Sequence, residues 1–272
     1  MNPFEIDQFV RNLAGEIHEI TGHLTDREAR HLAMLAFLTK DEGELLEIGS
    51  FMGKSTVLLS MAAGKATGNP RIVAVDPLTQ PAKTDPDVAG NQPSRDHFFA
   101  NLKKAGVETE VEFYEMLSCD LAKTWVKPIR MLWIDGDHTY KGVLSDFENF
   151  APHLIPGGII AMHDMMHGFR GPDQVFIQKI LLSDQFGVAG IVGSIGWAQK
   201  GTPTVRQKTK NGQLAEKLQA WVNACPETTP HSSVRKIWLK IKRAQVPHFA
   251  MSTADLQTLL NEGITSEIKE SI

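Results

Sequence analysis

Apolar residues recur with two different periods along this chain. Over residues 3–20 and 25–39 they fall three and four apart, the spacing of a helix with one buried face. Leu32, Leu35, Ala36 and Leu38 make that face in the second stretch, which opens with Thr25-Asp26-Arg27-Glu28. In such an opening the Thr and Glu side chains satisfy amides that the first helical turn leaves unpaired. From residue 44 the pattern becomes short apolar runs alternating with helical stretches. Leu45 to Ile48 ends at Gly49 and is followed by a predicted helix over 55–63. Arg71 to Val75 ends at Asp76, and a helix over 94–105 and a strand over 111–114 come next. Ile129 to Ile134 ends at Asp135, with a helix over 141–153, and Gly158 to Met162 ends at His163-Asp164. This alternation predicts βαβ units and a parallel sheet covered on both faces. In such sheets ligands gather beyond the carboxyl ends of the strands, and Glu47, Gly49, Asp76, Asp135 and Asp164 all fall there.

Two segments break the alternation. Pro77 to Pro93 is rich in Pro, Asp, Thr and Gln and directly follows a ligand-side strand end. Loops of that length are uncommon unless they act as lids or are disordered, and both readings stand. Beyond Lys200 the sheet pattern stops, and residues 211–272 read as helices joined by Pro-containing turns. Three sections are therefore expected: an N-terminal helical cap over 1–40, an α/β domain over 41–202 and a helical extension over 203–272.

Composition narrows the class. A chain of 272 residues, 42% hydrophobic and 22% charged, can bury a substantial core in one α/β domain with an appendage. The formal net charge of −4 supplies no basic footprint, so no nucleic-acid partner is expected. Cys119 and Cys225 are too few for a disulfide framework or a zinc cluster, and are expected as reduced thiols in a cytoplasmic protein. The first residues lack the basic and apolar regions of a signal peptide. The longest apolar run, Leu32 to Leu38, is too short to span a bilayer. Within residues 234–246, Val234, Ile237, Trp238 and Ile241 recur at helical spacing among Arg235, Lys236, Lys240, Lys242 and Arg243. Such a helix can lie on an anionic membrane surface, or it can pack its apolar stripe on its own domain or a second subunit. The latter is the commoner use, and a homo-oligomer is expected.

The chemistry concentrates in Glu47-Ile48-Gly49-Ser50-Phe51-Met52-Gly53-Lys54-Ser55-Thr56. Gly49 lets the chain leave its strand sharply and lets backbone approach a ligand. Gly53 and Ser55 open the next helix, whose unpaired amides favour an anionic group such as a carboxylate. A phosphate-binding loop needs four residues between its first Gly and the Gly-Lys pair, and only three separate Gly49 from Gly53. The dinucleotide fingerprint needs a second glycine where Phe51 stands. Neither nucleotide motif fits.

Glu47-x-Gly49-x-x-x-Gly53 with Asp76 ending the second strand does resemble motifs I and II of the class I S-adenosylmethionine-dependent methyltransferases. Trp133-Ile134-Asp135-Gly136-Asp137-His138-Thr139-Tyr140, then Asp146, then Pro156 to Asp164 resembles the bacterial group of macrocin O-methyltransferase, sugar O-methyltransferases and the so-called cephalosporin hydroxylase. The resemblance covers about residues 25–200, and Val192 to Gly196 looks like that group's final β-hairpin. It implies a Rossmann-like seven-stranded sheet, mostly parallel with the last strand antiparallel, flanked by helices. It implies S-adenosylmethionine as cofactor, held by Glu47, Gly49, Ser50, Gly53, Ser55, Thr56 and Asp135, with Asp76 accepting the two ribose hydroxyls. Ser118, in Ser118-Cys119-Asp120, falls where the group places an adenine-side loop.

The acceptor implied by the same resemblance is a hydroxyl of a sugar or other small molecule. An alkyl hydroxyl is a poor nucleophile at neutral pH, and a divalent metal or a general base can help it. Metal-dependent O-methyltransferases of the catechol type carry metal ligands at positions matching Asp135, His163 and Asp164, which implies Mg²⁺ or Mn²⁺. His163 is the unusual member: either a borderline metal accepts the imidazole, or His163 is not a ligand. His138 stands where those enzymes carry their base and is the expected general base, the alternative being a cap for the helix near Tyr140. Asp137 has several open roles. Trp133 and Met162 are expected in the core, while His167, Phe169 and Arg170 are substrate contacts or an ordinary loop.

Overall fold

The structure is a computed structural model that describes residues 1–39, 42–67, 71–78, 94–225 and 240–270. Helix α1 spans Pro3–Glu16 and continues as a 3-10 turn over Ile17–Glu19, and α2 spans Asp26–Leu38. Both begin with reciprocal caps: Asn2 with Glu5, and Thr25 with Glu28. The sheet elements follow as β1 (Glu44–Ile48), α3 (Lys54–Thr67), β2 (Ile72–Val75), α4 (Ser94–Ala105), β3 (Val111–Tyr114), α5 (Ser118–Leu121), β4 (Ile129–Ile134), α6 (Tyr140–Phe150) and β5 (Leu154–Met162). Then come α7 (Arg170–Val175), a π-helical turn over Phe176–Leu181, the hairpin β6 (Phe186–Val192) and β7 (Ile195–Lys200), α8 (Val205–Ala224) and α9 (Thr253–Glu270).

The seven strands lie in the order β3-β2-β1-β4-β5-β7-β6. The first five in this order pair in parallel, and β7 runs antiparallel to both β5 and β6. This is the Rossmann-like, mostly parallel sheet the motifs imply. Every residue of β2 and β4 is buried, as befits strands covered on both faces. Trp133 and Met162 are core residues, as expected. The reversal of winding between β1 and β4 puts a crevice over the carboxyl ends of the middle strands.

Each face of the sheet has its own core. One joins α1, α2 and α3 to Leu45, Met131, Trp133, Ala161 and Trp197, and includes Leu256 and Leu260 of α9. The other joins α6, α7 and the π-helical turn to Leu46, Leu132 and Ile160, and includes Leu218 and Trp221 of α8. The helical cap and extension thus share cores with the sheet, because their apolar faces have no other surface to bury. Helix α8 starts at Val205, six residues before the predicted onset, where Thr204 and Gln207 form a third reciprocal cap. Residues 79–93 of the 77–93 loop and residues 234–239 of the basic stretch 234–246 lie outside the described residues. Among the described residues no helix is long and apolar enough to cross a membrane.

Candidate active site

The strand ends are stitched together by main-chain bonds that continue the sheet by one residue. Gly49 donates its N–H to Val75 O (3.0 Å), Asp76 to Tyr114 O (3.2 Å), Asp135 to Ile48 O (2.8 Å) and His163 to Ile134 O (3.0 Å). Gly49 is obligatory here: its φ is +85°, and a Cβ would stand 2.2 Å from Asp135 O. Beyond these ends opens a cavity of about 920 Å³. Its wall includes Gly49, Ser50, Ser55, Asp76, Ser118, Asp135, His138, His163 and Asp164. Sequence-expected residues that are 80 to 115 positions apart therefore meet in one space. Glu47, Gly53 and Thr56 stand behind that wall instead. Glu47 is buried, accepting from Ser50 Oγ (3.1 Å) and Thr56 Oγ1 (2.5 Å) through one oxygen. Its burial pushes the carboxyl up to about 7, against hydrogen bonds from Ser55, Thr56 and Ser50.

Asp76 holds the turn as well as facing the cavity. Its Oδ2 accepts the amides of Ser50 (2.8 Å) and Phe51 (2.9 Å), and its Oδ1 accepts the amide of Leu78 (2.7 Å). Phe51 and Leu78 have φ of +47° and +48°, conformations that non-glycine residues rarely adopt. The charge-assisted bonds from Asp76 are what secure them. Ser118 lies across the cavity at the start of α5 and donates to Asp146 Oδ1 (2.5 Å), whose carboxyl burial pushes up to about 6.

At the other end the ionisable groups crowd. His138 Nε2 lies 2.9 Å from Asp164 Oδ2 and 3.7 Å from Asp135 Oδ1. Neither of its ring nitrogens has a formed hydrogen bond, so these contacts are Coulombic and off the N–H line. Burial disfavours the imidazolium, yet the two carboxylates outweigh it and push His138 up to about 10. His163 Nδ1 is 3.2 Å from Asp135 Oδ1. Burial again opposes its charge, and Asp135 and Asp164 carry it up to about 9. Against its own burial, contacts with His138 and His167 hold the Asp164 carboxyl well below the usual range.

The donor atoms that converge within 4.8 Å belong to Asp135, His138 and Asp164. His163, expected from the sequence beside Asp135 and Asp164, bonds Asp135 from behind with its ring against Trp133, 5.5 Å between centroids. Two carboxylates beside an imidazole with no hydrogen bond suit a divalent cation. His167 lies 3.3 Å from Asp164, and Phe169 stacks on the His138 ring at 4.5 Å; both line the cavity. Arg170 turns away and donates to Cys225 O (2.7 Å). Asp137 caps the turn before α6 by accepting the Thr139 amide (2.8 Å), and Thr139 in turn caps α6 through the Gly142 amide.

Sequence reasoning missed the strip Gly22-His23-Leu24, which also lines the cavity, as do Lys54 and Asp146, placed by the sequence within motifs but given no role there. His23 stacks on Phe51, 5.6 Å between centroids. The strip carries no periodicity or motif. Only the fold, by laying α2 beside α3, brings it to the site.

Residues 46–165 match the family described as a methyltransferase domain. The matched segment spans every strand end that lines the cavity. A curated relative, the uncharacterized protein R132 of Acanthamoeba polyphaga mimivirus, is 31% identical over 160 residues, covering 54% of this chain and 63% of that one. The chain thus matches less than two thirds of that relative's length. Among solved structures, the O-methyltransferase NovP superposes with a TM-score of 0.55 at 14% identity, covering 72% of this chain and 98% of NovP. An O-methyltransferase from Bacillus cereus in complex with SAH gives 0.49 at 17% identity, over 72% and 91%. The NovP superposition shows that the two chains share a fold.

Proposed function

We propose that this protein transfers the methyl group of S-adenosylmethionine to a hydroxyl oxygen of a sugar or other small polyol-like acceptor. The observation that carries the reading is that one cavity joins two kinds of wall. Gly49, Ser50, Ser55 and Asp76 offer amides, hydroxyls and a carboxylate suited to an amino acid and a ribose diol, and Asp135, His138 and Asp164 face the same space. The acceptor oxygen attacks the methyl carbon in line with the breaking carbon–sulfur bond, S-adenosylhomocysteine leaves with the bonding pair, and the hydroxyl proton passes to a base. Holding oxygen and carbon at roughly 3 Å is the protein's main contribution.

Asp135 and Asp164 would hold Mg²⁺ or Mn²⁺, with His138 within reach as a third donor. When bound, such an ion favours ionisation of the acceptor hydroxyl. His138 is the proposed base, and it can serve only where the charge of its two carboxylate neighbours has been offset, since an imidazolium has no lone pair to receive a proton. Exchange of His138 for alanine separates its roles. A base loses turnover with Mn²⁺ affinity kept; a ligand loses both.

The decisive experiment is calorimetry with S-adenosylmethionine, NAD and ATP, followed by transfer of labelled methyl to a panel of sugars and polyols with and without chelator. Binding of S-adenosylmethionine alone, and label appearing as an acid-stable ether, is the expected result. Tight NAD or ATP binding with silence toward S-adenosylmethionine ends the proposal. Asp76→Asn is expected to lower S-adenosylhomocysteine affinity by about tenfold or more, because it removes a charged acceptor that also shapes the 50–51 turn.

A further inference from the structure

The loop after β5 is built with the same device as the turn after β1. Of the four non-glycine residues with positive φ among the described residues, two lie here: Asp164 at +59° and Met166 at +60°. Between them Met165 donates its amide to Ser194 O (2.9 Å) in the β6–β7 turn. The Met166 amide goes to Asp173 Oδ1 at 2.9 Å. Asp173, on α7, is 1% exposed, and its second oxygen accepts the indole N–H of Trp221 at 3.0 Å. Trp221 belongs to α8, in the helical extension beyond the sheet. The Arg170 bond to Cys225 O closes the same junction one turn away.

These contacts form an unbroken path from the extension to the acceptor end of the cavity. Trp221 fixes the Asp173 carboxylate, Asp173 fixes Met166 in a left-handed conformation, and that conformation sets the direction in which Asp164 and His167 leave the chain. Left-handed backbone at ordinary residues is strained and persists only where surroundings enforce it. We propose that Asp173 and Trp221 are positioning residues for the acceptor centre, so that the C-terminal extension acts as the brace holding Asp164 and His167 toward His138. This rests on the methyl-transfer reading for the meaning of that centre, but not for the brace itself.

The full-length chain tests it with two variants. Trp221→Phe removes one donor and keeps an aromatic of similar bulk, and Asp173→Asn keeps shape while losing one of the two acceptor oxygens. Three quantities are read in each: exchange of the Met166 amide, ring carbon–proton NMR signals of His23, His138 and His167, and calorimetric affinity for S-adenosylhomocysteine. Met166 exchange should quicken by about tenfold or more, because Asp173, the acceptor of its bond, is released by Trp221→Phe and keeps a single oxygen for two donors in Asp173→Asn. The His138 and His167 signals should shift, while the His23 signal and S-adenosylhomocysteine affinity stay within about twofold of wild type. Unchanged Met166 protection with unmoved His138 and His167 signals overturns the proposal. So does a uniform loss, in which His23 and cofactor affinity change along with the rest, for that marks Asp173 as general structural support. If Asp173→Asn does not fold, Trp221→Phe decides alone. Wild-type protein that ignores S-adenosylhomocysteine would strike down the methyl-transfer reading, while the exchange and ring signals still decide the brace.

Discussion

A carboxylate held charged inside a protein makes stability depend on pH, and Glu28 is such a group. Its Oε2 accepts from Thr25 N–H (3.0 Å) and Thr25 Oγ1 (2.6 Å), and its Oε1 from Ser194 N–H (2.7 Å) and Ser194 Oγ (2.5 Å). Burial alone would raise it, but these bonds and the charge of His163 hold it down at about 2, against 4.5 when unfolded. A depressed carboxyl adds stability above the unfolded value, and that stability drains as pH falls from 4.5 toward 2. Its neighbour in the helix, His31, is buried beside Trp197 and pushed down by burial to about 3, from 6.5. The unfolded chain therefore takes up the His31 proton first, and stability also drains between 6.5 and 3. Urea midpoints followed against pH should show both windows. Glu28→Gln should flatten the lower one and cost about 1–3 kcal/mol near neutrality, whereas His31→Phe should flatten the upper one. Equal pH slopes in wild type and both variants would refute this account. The Thr25–Glu28 cap was readable from spacing, but Ser194 as its second partner was not, because 166 residues separate them.

At the scale of elements, the strand ends were legible and the contacts between helices were not. Apolar runs stopping at Asp76, Asp135 and His163 mark where a fully buried strand meets solvent, so the predicted ends and the observed ends coincide. The predicted helix over 94–105 is α4 to the residue. The same logic placed Asp135, His138 and Asp164 together, since adjacent parallel strands deliver their next residues to one edge. It could not show that His138 rather than His163 turns its ring in among the donor atoms of Asp135 and Asp164, because chain adjacency says nothing about which way a ring turns after a left-handed Asp164. The close crossing of α7 and α6 was equally hidden. A Cβ on Gly171 would stand 2.3 Å from His138 O and 2.6 Å from the Thr139 carbonyl carbon. Neither is the movable tip of a side chain, so Gly171→Ala must push α7 off the His138–Tyr140 backbone. It is expected to cost about 3 kcal/mol and to disturb the acceptor end before the cofactor end. A drop in thermal midpoint with S-adenosylhomocysteine affinity retained fits; an unchanged midpoint does not.

For the whole molecule, the arrangement of charge predicts how cation binding and proton binding compete. Asp135 and Asp164 stand between three imidazoles, His138, His163 and His167. With only protein groups around them, the carboxylates hold His138 up to about 10 and His163 up to about 9. A divalent cation placed on those carboxylates removes the reason for the protons to stay, whether His138 then ligates it or stands free as a base. Binding of Mn²⁺ should therefore release protons and tighten as pH rises. Calorimetry in two buffers of different ionisation enthalpy counts the protons directly, and the released number should fall when His138 is replaced by glutamine. The stabilisation should follow: at a hundredfold excess over its dissociation constant a ligand of the folded state alone adds about 2.7 kcal/mol, and that gain should be larger at pH 8 than at pH 6 on the order-of-magnitude scale set by one displaced proton. Asp164→Asn should abolish both effects, since it removes a cation donor and the partner that holds His138 charged. Mn²⁺ that binds with no proton release, or equally well across that interval, would show that the ion sits away from this cluster, and the acceptor hydroxyl would then have to be activated by the side chains alone.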